Sequence, residues 1–171
     1  MTKRTGSSPA VVQGTARATP ITEVATGGFE RLPVEGEEFS RVLGGGLVPG
    51  SLVLMGGDPG IGKSTLLLAA GAKFAMQTGT VLYISAEESP QQLRLRAERL
   101  GMLSPQFYVL GETNLDAAIN AILDMKPALV VVDSVQTVYL EEITSAAGSV
   151  SQVREVALRL LRVAKETGIP I

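Results

Sequence analysis

The sequence predicts a three-layer α/β domain with a mostly parallel sheet, and three observations carry that prediction. Short apolar runs alternate with longer helix-forming stretches, which is the signature of strands joined by crossover helices. One run, Ala128-Leu129-Val130-Val131-Val132-Asp133, is apolar almost throughout, as strands covered on both faces are. Finally, Gly57-Asp58-Pro59-Gly60-Ile61-Gly62-Lys63-Ser64 matches the phosphate-binding pattern G-x-x-x-x-G-K-[ST]. That pattern sits between the apolar run Leu52-Val53-Leu54-Met55 and the helix formers Thr65-Leu66-Leu67-Leu68-Ala69-Ala70. A strand, a glycine loop and a helix N-terminus is the setting such a loop requires; a chance glycine-rich turn would lack it.

Composition narrows the chemistry. A chain of 171 residues, 45% hydrophobic, has room for one domain with a real core. Its net charge of −2 supplies no global attraction to nucleic acid or anionic membrane. There is no cysteine and no histidine, so disulfides, thiolate zinc sites and imidazole acid–base catalysis are all excluded from this sequence. Any reaction must run on carboxylates, Lys, Arg, hydroxyls and backbone. No stretch reaches the roughly 18 consecutive apolar residues of a membrane span. Met1-Thr2-Lys3-Arg4 is not followed by the apolar core of a secretory signal, so a soluble intracellular protein is expected.

Residues 1–19 are Thr, Ser, Gly, Ala and Pro with little periodicity and predict a disordered tail or linker, leaving 20–171 as the domain. A DNA-binding arm using Lys3, Arg4 and Arg17 is the functional alternative. Between Pro20 and Leu32 the pattern fits a short strand and a turn. Gly44-Gly45-Gly46-Leu47-Val48-Pro49-Gly50 is a turn-rich approach to a first strand at 51–55. The three glycines suit a flexible surface loop, or a close approach of backbone to a ligand or neighbouring subunit.

A helix over 63–77 follows the phosphate loop and ends at Thr78-Gly79, and 81–85 is the second strand. Ser89, Pro90 and Gln92 form a capping signature for the next helix, which Gly101 ends. Its stripe is Leu93, Ala97 and Leu100, with Arg94, Arg96 and Arg99 on a solvated face. A third strand spans 106–110. Asn114 caps a helix through Met125, with Leu115, Ala118, Ile119 and Ile122 inward, and Lys126-Pro127 stops it. The apolar fourth strand ends at Asp133, and 134–148 reads as a loop. A final helix over 151–167 turns Val153, Val156, Ala157, Leu160, Leu161 and Ala164 inward. Gly168 terminates it, and Pro170-Ile171 begins another strand.

Open α/β sheets bind ligands at the carboxyl ends of their strands. There the pattern gathers Gly57–Ser64 after the first strand, Glu87-Glu88 after the second and Asp133-Ser134 at the fourth. Backbone N–H groups of Gly57, Asp58, Pro59's neighbours, Gly60, Ile61, Gly62, Lys63, Ser64 and Thr65 suit a phosphate cradle. Lys63 suits the β and γ phosphates of ATP, and the Ser64 hydroxyl suits Mg²⁺. Asp133 suits a carboxylate that holds Mg²⁺, against the plainer possibility of a strand-ending acid in a turn. Ser134 fits support of a metal-bound water or a turn cap equally well. Of the two glutamates, one is placed to orient and deprotonate water, with Lys63 stabilising charge. A Glu-Glu pair before a helix equally suits the positive end of the helix dipole.

From about Pro20 to Ile171 the chain resembles the RadA/Sms family of bacterial DNA-repair ATPases, within the RecA-like P-loop superfamily. The motifs are Arg41-Val42-Leu43-Gly44-Gly45-Gly46-Leu47-Val48-Pro49-Gly50-Ser51, Gly56-Gly57-Asp58-Pro59-Gly60-Ile61-Gly62-Lys63-Ser64-Thr65, and Tyr83-Ile84-Ser85-Ala86-Glu87-Glu88-Ser89. Two more are Val132-Asp133-Ser134-Val135-Gln136 and Gly148-Ser149-Val150-Ser151-Gln152-Val153-Arg154-Glu155. The resemblance implies a RecA-like fold and assigns the water-activating glutamate to Glu87. It further implies a cytoplasmic bacterial protein that uses ATP to work on recombination intermediates. Its expected partners are single-stranded or branched DNA and a RecA-type recombinase, in a homo-hexameric ring. The loop over 139–148 matches a segment that faces DNA in RecA-like proteins.

The departures are equally specific. The family begins with a four-cysteine zinc module, so no zinc is expected in a chain without cysteine or histidine. It continues with a further strand and its sensor residue, a Lys-Asn-Arg-Phe-Gly motif and a Lon-protease-like domain. The resemblance therefore implies a truncated chain lacking the C-terminal part of its core, the next strand lying between those ending at Gly57 and Asp133. Residues 128–153 contain no Lys or Arg but do contain Glu141 and Glu142, which argues against a basic DNA path there. Two other functions stay open: an ATP-binding switch or scaffold without useful turnover, and a P-loop phosphotransferase.

Overall fold

A computed structural model describes residues 18–24 and 30–171, and its frame is a parallel sheet with helices on both faces. The elements are α1 (Glu37–Val42), α2 (Lys63–Gln77), β1 (Val81–Ser85), α3 (Pro90–Arg99), β2 (Phe107–Gly111), α4 (Leu115–Met125), β3 (Leu129–Asp133) and α5 (Val150–Thr167), with a 3₁₀ turn at Ile21–Glu23. The three strands are parallel in the order β2-β1-β3. Register aligns their carboxyl ends, for Ser85 lies opposite Gly111 on one side and Asp133 on the other. Three chain segments far apart in sequence are thereby brought to one edge.

Side chains that alternate along a strand divide the core into two layers. Leu82, Ile84 and Val130 join Leu115, Ala118, Ile122, Val156, Leu160 and Ala164, so this layer lies under α4 and α5. Val81, Tyr83, Leu129 and Val131 join Leu68, Phe74, Ala75, Leu93 and Ala97, under α2 and α3. Each fully buried Leu or Ile contributes roughly 1.5–3 kcal/mol relative to exposure, so these layers hold the strand ends in place.

Most element boundaries agree with the sequence pattern because their signals are local. Ser89 accepts from Gln92 N and Gln92 Oε1 accepts from Ser89 N, a complete capping box, with Pro90 in the first turn. Asn114 caps α4, and Ser149 caps α5 two residues before the expected start. The edge strand β2 lies one residue later than expected. The short α1 was not predicted: it buries no residue and carries no stripe, its support being Glu37 and Glu38 in the first turn and Arg41 in the last. Of the stretch from Pro20 to Leu32, where a short strand and a turn were expected, the described residues show the 3₁₀ turn and a bridge between Leu32 and Leu47. Residues 1–17 of the expected tail, with the candidate arm of Lys3, Arg4 and Arg17, lie outside the described residues.

The triple glycine is a close backbone approach within the chain itself. Leu32 and Leu47 exchange two backbone hydrogen bonds of 2.8 and 2.9 Å. A Cβ on Gly46 would lie 2.4 Å from the Leu32 carbonyl oxygen, at a φ of 144°. No larger residue fits there.

Residues 51–55 do not form the regular strand that was expected. Val53 N donates to Ile171 O at 2.8 Å and Ile171 N to Ser51 O at 2.9 Å, while Val130 N donates to Pro170 O at 3.0 Å. Residues 169–171 thus enter the sheet between β3 and residues 51–53, where the resemblance puts a further strand. Pairing stops there, and Leu54 is 79% exposed. A strand is made by its neighbours as much as by its own residues.

Two helix faces differ in detail from the periodic reading. Leu100 is not inside but 36% exposed, because it is the C-cap where the chain leaves the helix. In α5 the buried residues are Gln152, Val156, Leu160, Val163 and Ala164, rather than Val153, Ala157 and Leu161. No helix among the described residues is long and apolar enough to cross a membrane.

Candidate nucleotide-binding site

The phosphate loop is built by backbone geometry that only glycine adopts without strain. Gly60 and Gly62 have φ of 78° and 101°, turning the chain back on itself before α2 starts at Lys63. No side chain caps α2, so the first-turn N–H groups of Lys63, Ser64 and Thr65 receive no acceptor from the cap residue. An anion seated there meets backbone donors and the positive end of the helix dipole together. Lys63 Nζ reaches back over the loop and donates to Gly57 O and Asp58 O, each at 2.8 Å.

Asp133 stands behind this loop. It is buried, at 8% exposure, and both carboxylate oxygens are engaged. Ser64 Oγ donates to its Oδ1 at 3.1 Å, and Tyr83 OH donates to its Oδ2 at 2.6 Å. Ser64 and Asp133 are 69 positions apart in the chain, so this contact joins the loop to the β3 edge through tertiary structure alone. Burial pushes the Tyr83 hydroxyl well above its ordinary value, and the hydrogen bond to Asp133 and its charge push it the same way. Tyr83 is therefore a neutral donor that fixes the plane of the carboxylate.

The two glutamates have different partners. Glu87 Oε1 accepts from Ser134 Oγ at 2.6 Å. Glu88 turns the other way, to Arg96 at 2.7 Å, while its backbone N–H and carbonyl both bond Ser85 Oγ. Arg96 is thus not part of a purely solvated face, although Arg94 pairs with Glu98 along the helix surface. Glu87, Ser134, Asp133, Tyr83, Ser64 and the phosphate loop form one connected edge.

Residues 134–145 leave this edge in a defined conformation. Thr137 Oγ1 donates to Ser134 O at 2.8 Å and accepts from Ser134 N. Buried Gln152 accepts from Leu140 N, and its amide nitrogen lies within 3.0–3.1 Å of the carbonyls of Leu140, Ile143 and Ser145, which share its two protons. Glu141 accepts from Asn114, and Arg159 pairs with Glu142, so both acids of the segment are engaged within the chain.

Tyr83, Thr137 and Gln152 are site or support residues that sequence reasoning missed. Tyr83 carried a signal: a tyrosine inside an otherwise aliphatic buried strand needs a hydrogen-bond partner. Gln152 sat on the apolar stripe of α5 at a position where a polar side chain needs the same explanation. Thr137 had no such mark.

The hard oxygens of Ser64 and Asp133, 3.1 Å apart, suit Mg²⁺ held jointly with phosphate oxygens and water. Among the described residues no group of three or more His, Cys, Asp or Glu forms a cage of its own.

Comparison with known proteins agrees with this geometry. Residues 21–171 match the model of the family described as AAA domain. The DNA repair protein RadA of Bacillus subtilis (strain 168) is 54% identical over 160 residues, covering 94% of this chain and 35% of that protein. The chain belongs to the AAA domain family, in its RadA/Sms line. The same-named protein of Listeria monocytogenes is 54% identical over 156 residues, covering 91% of this chain and 34% of its own length. That of Streptococcus pneumoniae is 52% identical over 151 residues, covering 88% and 36%. The chain spans about a third of the length of these relatives. With its parallel sheet between helices, the family member has an α/β RecA-like P-loop fold.

Proposed function

We propose that this chain is the ATP-binding and hydrolysing core of a DNA-dependent ATPase in recombinational DNA repair. The observation that carries the reading is the Ser64–Asp133 contact, which unites the phosphate loop with the carboxylate edge. In this reading the backbone of Gly57–Thr65 and Lys63 hold the ATP phosphates, and Ser64 and Asp133 hold Mg²⁺, Asp133 through water. Bound there, Mg²⁺ neutralises charge on the β and γ phosphate oxygens. Glu87 orients a water and takes its proton as the water oxygen bonds the γ phosphorus. The bond to the β–γ bridging oxygen breaks, ADP leaves with that electron pair, and the proton passes from Glu87 to solvent.

Single-stranded or branched DNA, a RecA-type recombinase, a homo-hexameric ring and a cytoplasmic location are the partners and setting this reading assigns. The relatives' description as DNA repair proteins supports the DNA partner. Glu141 and Glu142 are turned to Asn114 and Arg159, which supports DNA contact by other parts of the ring rather than by this acidic pair.

Phosphate release from Mg-ATP, with and without single-stranded DNA, tests the proposal. Release should rise with DNA, and Glu87→Gln should lower it by about 10²-fold or more while ATP is still retained. Unchanged release in that variant removes Glu87 from the role of base. The alternative reading is an ATP-binding switch without useful turnover. ATP retention with no release by the parent chain would select it. Transfer of phosphate to a metabolite would select a phosphotransferase.

A further inference from the structure

We infer that Ser134 is a positioning residue for Glu87, holding one carboxylate oxygen so that the other faces the attacking water. The inference rests on the reading of Glu87 as the base and adds a residue to it. At 2.6 Å, the Ser134 Oγ to Glu87 Oε1 contact has the length of a charge-assisted O–H···O⁻ bond. A serine hydroxyl has one proton, so this bond commits it.

The neighbouring hydroxyl cannot compete for the role. Thr137 Oγ1 lies 3.4 Å from Ser134 Oγ, but its own proton is directed at Ser134 O at 2.8 Å. Thr137 therefore steadies the Ser134 backbone and leaves the Ser134 proton to Glu87. Thr137 N also donates to Ser134 O, at 3.1 Å, closing the turn.

Glu87 needs such a partner because its own element does not hold it. The residue is exposed, two positions before the Ser89 cap of α3, and its neighbour Glu88 takes Arg96 and Ser85. Without Ser134 the side chain is free to sample solvent rotamers. Ser134 also directly follows Asp133, so the metal carboxylate and the base are tied to consecutive residues of one strand end. Accepting at Oε1 leaves Oε2 as the free proton acceptor.

The test compares the parent chain with Ser134→Ala, Ser134→Thr and Glu87→Gln. In ¹³C-labelled protein at pH 7, the Glu87 carboxylate carbon is assigned by its loss in Glu87→Gln. That resonance should shift in Ser134→Ala and hold its position in Ser134→Thr, which keeps the hydroxyl. Turnover in Ser134→Ala should fall about 10-fold in kcat with KM for ATP unchanged, and Ser134→Thr should recover most of it. A Glu87 resonance that does not move in Ser134→Ala overturns the inference. So does a shifted resonance with parental kcat. Parental phosphate release in Glu87→Gln would instead overturn the underlying reading, and the two failures are thus distinguishable.

Discussion

The two flanks of β3 are held in very different ways. On one side β1 and β2 run in full parallel register, with β1 buried at every residue. On the other, residues 169–171 and 51–53 share a few backbone bonds, and Leu54 stands exposed. Asp133 and Glu87 belong to the well-paired flank, and the phosphate loop springs from the sparsely paired one. What spans them is the Ser64–Asp133 bond and the packing of α2 beneath the sheet. Local stability follows buried contacts and paired backbone, so β1, paired on both sides and buried throughout, is a firmly held part of the described sheet.

The largest effect should come from emptying the well-paired flank. Ile84→Ala removes a fully buried side chain from the layer under α4 and α5 and should cost about 2–5 kcal/mol in urea denaturation. A smaller change there would mean that the layer collapses around the gap.

Gln152→Leu should cost about 1–3 kcal/mol, since it leaves the Leu140, Ile143 and Ser145 carbonyls without their donor. Limited proteolysis should then cut within 140–148 sooner than in the parent chain. An unchanged cutting pattern would show that Asn114 and Arg159 suffice to hold the segment.

Tyr83→Phe removes one donor to Asp133 and should cost about 1–2 kcal/mol near neutral pH. Its pH signature is directional. The folded Tyr83 keeps its proton above the ordinary tyrosine value of 10.0, where the unfolded chain has lost it. The tyrosine's contribution is therefore fully present below about pH 10 and declines as pH rises further. The phenylalanine variant should lose that part of the alkaline slope, as read from melting temperature against pH.

Leu54→Ser should change stability by no more than about 0.5 kcal/mol, the ordinary range for an exposed site. Hydrogen exchange gives the same contrast without mutation. Amides of 81–85 should exchange at the slowest rates in the chain, and those of 54–57 among the fastest.

Legibility in the sequence followed the range of each interaction. The capping box at Ser89 and Gln92, the Asn114 cap and the Gly168 terminus involve residues a few positions apart, and all are where the pattern puts them. The strand expected at 51–55 and the inward faces of Val153 and Leu161 depended on distant neighbours, and there the pattern departs from the fold. The glutamate pair was ambiguous for the same reason: Glu87 and Glu88 differ through Ser134, 47 positions away, and through Arg96.

By itself the sequence determined the phosphate loop, the alternation of strands and helices and the set of carboxylates available. Those are consequences of glycine geometry, hydrophobic period and the absence of histidine and cysteine. Only the tertiary structure decided that Tyr83 and Ser64 share Asp133, that Ser134 holds Glu87 and that Gln152 fastens the segment beyond. The register of parallel strands brings those groups together, and register is set by packing across the whole sheet rather than by any local run of residues.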